Sequence, residues 1–162
     1  MEVSELRLKA ASHLERALGL AQRGELNAAI SELRAALELY ADYAEAHYYL
    51  GVCLLAAGKP REALEEFDEA LRLDESYFEA HVRKGVALRK LYDDGVCEFD
   101  AVIEEFKKAI QKNPRYVEAR YNLAIALLER GDVAAAKSEL AEILKIDPEN
   151  EEARELRRLL GY

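Results

Sequence analysis

The amino-acid sequence predicts an all-α solenoid of helix–turn–helix repeats, and three observations carry that prediction. The first is composition. Ala, Leu, Glu, Lys and Arg dominate, while 162 residues include only 8 Gly and 3 Pro. These are strong helix formers with few breakers among them, and no sustained alternation of β-branched residues calls for a strand. The second is an internal repeat. Tyr43-Ala44-Glu45-Ala46-His47 recurs as Tyr77-Phe78-Glu79-Ala80-His81, as Tyr116-Val117-Glu118-Ala119-Arg120, and more weakly as Asn150-Glu151-Glu152-Ala153-Arg154, at spacings of 34, 39 and 34 residues. His13, 34 residues before His47, marks a diverged first copy. The third is a second signature in phase with the first. Ala63, Phe67 and Ala70 share the spacing of Ala29, Leu33 and Ala36, of Val102, Phe106 and Ala109, and of Ala136, Leu140 and Ile143. Steps of four and three put each trio on one helical stripe.

Breaks separate the two signatures at Arg23-Gly24, Gly58-Lys59-Pro60 and Arg130-Gly131-Asp132. Gly closes a helix in the left-handed conformation, and Pro or Asp suits the next helix start. Each unit therefore reads as helix, tight turn, helix. The units fall at residues 10–43, 44–77, 78–116 and 117–150 of a single domain spanning 1–162. The third unit is longer by five residues around Leu91 to Cys97. Asp94-Gly95 is a turn signal, and Val96, Phe99, Ile103 and Phe106 continue a helical stripe, so both helices are expected to lengthen around that turn. Residues 151–160 predict one more helix with Leu156, Leu159 and Leu160 apolar and a wet opposite face, as a terminal cap requires.

Across residues 10–150 these signatures resemble the tetratricopeptide repeat family. The second copy carries the resemblance best, through Leu50-Gly51, Leu54, Gly58, Ala63, Phe67 and Ala70. The family's Trp slot holds His13, His47, His81 and Arg120 instead, and Arg16 and Lys84 stand where Leu50 and Leu123 supply the expected Leu. The resemblance implies a superhelix whose first helices line a concave groove, and a protein-binding rather than catalytic role.

Charge and motif content exclude other classes. The formal net charge is −9, from 23 basic and 32 acidic residues, which opposes phosphate neutralisation and argues against nucleic acid as partner. The start lacks the layout of a signal peptide, and no apolar run is long enough to span a bilayer, so a cytoplasmic setting without membrane contact is expected. Cys53 and Cys97 form no paired spacing, and Cys53 aligns with Ala87 and Ala126 at a small packing position. Equivalent histidines on successive units stand at least about 8–10 Å apart, too far to share a zinc whose ligands lie near ~2 Å. They read as half-buried ring fillers. Asp93, Asp94, Glu98 and Asp100 do not match a calcium loop. No metal, cofactor or catalytic constellation is expected, and no enzymatic activity.

The binding surface follows by subtraction. Ala46, Leu50, Gly51, Cys53 and Leu54 suffice to pack the first helix of the second unit, which leaves Tyr48, Tyr49, Val52 and Leu55 on another arc. The same arc carries Leu14, Leu18, Val82, Val86, Tyr121 and Ile125, with Arg83, Arg89, Lys90 and Asn122 as polar contacts. Surplus apolar surface of this kind marks an interaction site, centred on Tyr48, Tyr49, Val52, Val86 and Tyr121 with Arg83 as anchor. The expected occupant is an extended or helical segment of another protein. An acidic tail is disfavoured, because Leu14 and Leu18 stand where the family's carboxylate clamp would begin and Glu79 where its later Lys would be. The alternatives are a self-association module, giving a homo-oligomer through the terminal helices, and an RNA-binding helical repeat. The acidic balance separates the last of these. A gel-shift titration with RNA at physiological salt is expected to show only weak binding without sequence dependence, and a tight, sequence-dependent shift would establish the RNA-binding reading instead.

Overall fold

The structure, a computed structural model, describes residues 2–162. Among them lie nine α-helices and no strand. They run as α1 (Val3–Gln22), α2 (Leu26–Leu39), α3 (Ala44–Ala56), α4 (Pro60–Leu73), α5 (Phe78–Asp93), α6 (Phe99–Lys112), α7 (Val117–Glu129), α8 (Val133–Ile146) and α9 (Glu151–Leu159). Consecutive helices pack in pairs, each pair packs on the next, and the first helices α1, α3, α5 and α7 also touch in succession. The α1 helix starts at Val3, two turns before the repeat register opens at Ala10, and so overhangs the array.

The turn within each pair is built the same way four times. Gly24, Gly58, Gly95 and Gly131 take φ between 73° and 85°, a region open to Gly at no steric cost. The next amide reaches back to a helix carbonyl, as in Glu25 N to Leu20 O at 3.0 Å, Lys59 N to Leu54 O at 2.9 Å, Val96 N to Leu91 O at 2.9 Å and Asp132 N to Leu127 O at 2.8 Å. These bonds satisfy carbonyls that the helix end orphans. The third unit corrects the expectation that both its helices lengthen. The α5 helix has 16 residues against 13 in α3 and α7, but α6 keeps the 14 residues of α4 and α8. The remaining extra residues lie between Gly95 and Phe99, so Val96 is in the turn and exposed rather than on a helical stripe.

What sets the pair geometry is the small residue at mid-helix. A Cβ placed on Gly51 would lie 2.6 Å from the Phe67 ring, and one on Gly85 would lie 2.6 Å from Phe106. Backbone and ring are therefore in direct contact. In the corresponding register the first and fourth units carry Ala17 with Leu33 and Ala124 with Leu140, all buried. The larger residue on one helix goes with the smaller on its partner, as close packing demands. The apolar core runs along the array in two stretches, one built mainly on Leu33, Leu54 and Phe67, the other on Ile103, Phe106, Leu140 and Ile143.

Gly51→Ala is expected to destabilise the protein, because an overpacking cost of about 1–3 kcal/mol exceeds the helix-propensity gain of ~0.8–1 kcal/mol. Adding Phe67→Leu reproduces the Ala–Leu pairing of the outer units and should restore most of the loss. Denaturant melts of the two single variants and the double variant measure this as a stabilising coupling; strictly additive effects would show that ring and backbone are not in contact.

Candidate functional site: the concave face of the first helices

Within each first helix, residues seven apart lie two turns apart on one face. Leu18, Val52, Val86, Ile125 and Leu159 occupy one register position in α1, α3, α5, α7 and α9. The first four are half-buried, and Leu159 is 76% exposed. Repeat arithmetic applied to the final helix would have found Leu159, which was read above only as part of a cap. Its neighbours Leu156 and Leu160 pack on the core beside α8.

The structure corrects three of the predicted partner contacts. Leu14 is 5% exposed, Tyr48 9% and Val82 0%, so all three belong to the core. Tyr48 shows why. Its ring packs on Tyr77 at 4.9 Å, on Tyr49 at 5.1 Å and on Phe67 at 6.2 Å. The residue opening the next first helix closes over that position, a contact between units that helical periodicity within one unit does not reveal. Tyr49, Leu55, Tyr121 and Asn122 are half-buried, and Lys90 is exposed.

Arg83 and Arg89 are already engaged. Arg83 of α5 reaches Glu118 of α7 at 3.0 Å and lies close to the Tyr48 hydroxyl of α3, so that three successive first helices meet around it. Arg89 pairs with Glu129 at 2.7 Å and with Asp93, and lies over the rings of Tyr92 and Phe99. Beside it, Val86, Arg89, Asn122 and Ile125 meet Phe106 and Glu129 around a cavity of about 120 Å³. A larger open cavity, about 790 Å³, lies where the α1 overhang faces the α2–α3 connection. Val3, Ser4, Arg7, Leu8 and Ala11 form one wall, Tyr40 and Tyr43 the other. None of these seven was predicted, although Ser4, Arg7, Ala11, Leu14 and Leu18 follow one helical face.

The histidines do different work from that expected. Each Nδ1 meets a carboxylate on the second helix of its own pair: His13 with Glu32 at 2.5 Å, His47 with Glu66 at 2.6 Å and His81 with Glu105 at 2.8 Å. In the fourth unit Arg120 reaches Glu139 at 2.8 Å. Arg120 Nε also donates to Pro114 O at 2.9 Å, the carbonyl that corresponds to Ala41 O, which sits 2.9 Å from His47 Nε2. One Arg thus repeats both bonds of the His, and the in-register glutamates were the overlooked signal. Lys84, in a Leu slot, bridges Asp68 of the preceding unit at 2.7 Å and Glu105 at 3.4 Å. Among the described residues no group of three or more His, Cys, Asp or Glu side chains is placed to hold a metal ion. Burial raises both thiols, and Glu98 adds to the effect at Cys97; such thiols are poor nucleophiles at neutral pH.

Comparison with known proteins agrees with this geometry. Tetratricopeptide repeat models match residues 14–78, 54–95 and 98–160. The chain belongs to the tetratricopeptide repeat family. No curated protein matches it. Among solved structures it is similar to MamA at 23% identity, with TM-score 0.72 over 85% of this chain and 77% of that one. It is also similar to Pseudomonas aeruginosa pilF at 24% identity, with TM-score 0.79 over 93% and 65%. A third likeness is to the first repeat domain of Spaghetti (RPAP3) bound to the HSP90 peptide SRMEEVD, at 17% identity and TM-score 0.71 over 77% and 95%. At these identities the likeness is one of fold.

The paired charges set a pH dependence of stability. Burial pushes the Glu105 carboxyl up, but the His81 hydrogen bond with Lys84 and Lys108 outweighs it and holds the group at about 2. A depressed carboxyl stabilises the fold above its unfolded value, and that contribution is lost as pH falls from about 4.5 towards about 2. His47 runs the other way. Burial lowers it, but Glu66, the Ala41 carbonyl and Glu69 together raise it, so its contribution is complete below about pH 6.5 and lost as pH rises through the folded value. Melts from pH 2 to 9 should show the acid slope flattened by Glu105→Gln and the neutral-to-alkaline slope flattened by His47→Gln. Unchanged slopes in both variants would show that these pairs do not govern stability.

Proposed function

We propose that the protein is an interaction scaffold that holds an extended or helical segment of another protein against its concave face. The carrying observation is the row Leu18, Val52, Val86, Ile125 and Leu159, which places an apolar side chain at the same position in the four first helices and in α9. A core needs no such row to be partly open, and partly open apolar surface is what a partner covers. Tyr49, Leu55 and Tyr121 widen the row, and the two cavities offer recesses for anchor side chains. The peptide-bound Spaghetti (RPAP3) structure supports the same use of this fold. No helix of the described residues is long and apolar enough to cross a membrane.

One observation favours self-association as a second reading. The most exposed large apolar residues, Leu159 and Leu8 at 73%, stand at opposite ends of the array, where head-to-tail contacts would form. Affinity capture with wild-type protein and with Val86→Asp and Ile125→Asp variants separates the two. Loss of a captured partner by about tenfold or more in both variants, with melting temperatures held, is the expected result. A partner retained by both variants, or a sedimentation mass that rises to a dimer and falls back with Leu8→Asp, would move the function to the ends of the array.

A further inference from the structure

We infer that the segment held on the concave face is a basic amphipathic helix, a conclusion that rests on the scaffold reading above and adds the chemistry of its partner. Seven residues before four of the five members of the apolar row, and so on the same helical face, stands a carboxylate; only Leu18 lacks one, with Ala11 in that place. Glu45 precedes Val52, Glu79 precedes Val86, Glu118 precedes Ile125 and Glu152 precedes Leu159. Two turns separate the rows by about 10 Å. The concave face thus carries an apolar row and an acidic row in parallel.

Most of the acidic row is left without basic partners among the described residues. Of its four members only Glu118 has one, Arg83 at 3.0 Å. The cations of the same face are otherwise committed or remote. Arg89 is held by Glu129 and Asp93, Arg7 lies over the Tyr40 ring at the N-terminal end, and Lys90 stands at the far end of α5 from Glu79. Glu45 and Glu79 flank the aromatic group of Tyr48, Tyr49 and Tyr77 closely enough that both bear on the Tyr77 hydroxyl. Each first-turn carboxylate is stabilised by its own helix dipole, which accounts for its place in the free protein and leaves its charge available to a partner. An acidic peptide such as SRMEEVD would meet this row with like charge.

Dimensions select a helix. The rows are about 10 Å apart, close to the ~10–12 Å diameter of a helix with side chains. Touching first helices repeat at about 8–10 Å, close to the ~10.5 Å that seven helical residues advance. A helix laid across the array can therefore present one apolar and one Lys or Arg contact to each unit in heptad phase.

The test uses two fluorescent helix-forming peptides of roughly 21 residues, or three heptads, with Leu at the apolar positions and either Lys or Glu along one flank. The Lys peptide is expected to bind and to shift the amide resonances of Val52, Val86 and Ile125. The triple variant Glu45→Gln, Glu79→Gln, Glu152→Gln should weaken it about tenfold, as the sum of exposed charge contacts. A control with the same charge change on the second helices, Glu38→Gln, Glu65→Gln, Glu104→Gln, should stay within about twofold, since exposed charges further off are screened. Equal loss in the control would reduce the effect to net charge and overturn the inference. Equal or tighter binding of the Glu peptide at Val86 and Ile125 would overturn it while leaving the concave face as the site. Binding of the Lys peptide with no shift at these amides would remove the concave site itself, and the inference with it.

Discussion

Contact between a helix backbone and an aromatic ring fixes the arrangement of each inner helix pair. Gly51 and Gly85 have no side chain because Phe67 and Phe106 occupy the space one would need. In the outer pairs Ala17 faces Leu33 and Ala124 faces Leu140 in the same register, so the sum of sizes is kept while its division changes. That distance between helices is a precondition for the rest. The His–Glu and Arg–Glu bonds that bridge the two helices of a pair reach only at this separation. Each pair also presents its outer surface to the next, so an error in one separation would propagate along an array in which each unit rests on its neighbours.

Polar bonds then specify which surfaces meet. Lys84 occupies a position where a Leu would pack, yet its ammonium reaches carboxylates of two adjacent units. Glu105, almost wholly buried, has three partners in the His81 ring and the Lys84 and Lys108 ammonium groups. A buried carboxylate is tolerated only when satisfied in this way. Arg83 does the same between first helices, pairing with Glu118 of the next one and standing beside Tyr48 of the one before. The face of the first helices is therefore partly a structural seam, with several of its side chains already committed within the protein.

That division explains what the sequence reveals and what it hides. The alternation of helices was legible because two signatures repeat in phase and Gly marks each turn. Contacts inside one helix, such as the stripe through Ala63, Phe67 and Ala70, follow from periodicity alone. Tyr48 and Val82 were misread because what buries them comes from other helices, beyond the reach of a helical wheel. Arg83 and Arg89 are engaged through partners 35 and 40 residues away. The His–Glu bonds were legible in principle, since Glu32, Glu66, Glu105 and Glu139 recur in step with His13, His47, His81 and Arg120; reading the rings as fillers looked at one helix of the pair only. The cavity beside Tyr40 stayed hidden because it depends on the α1 overhang meeting a connection some 30 residues further on.

The extra residues of the third unit have a practical consequence. Part of the insertion extends α5 and part lengthens the turn, yet Phe106 still meets Gly85 as Phe67 meets Gly51. The three residues added to α5 advance it by about 4.5 Å and turn it some 60° short of a full revolution, a phase error that the longer turn absorbs before α6 begins. Tyr92 and Val96 are left at the surface. This segment therefore behaves as an expansion joint, where chain can be added without disturbing the helices on either side. It is the natural place to graft a fluorophore or an epitope tag, since such an attachment leaves the apolar row of the first helices uncovered.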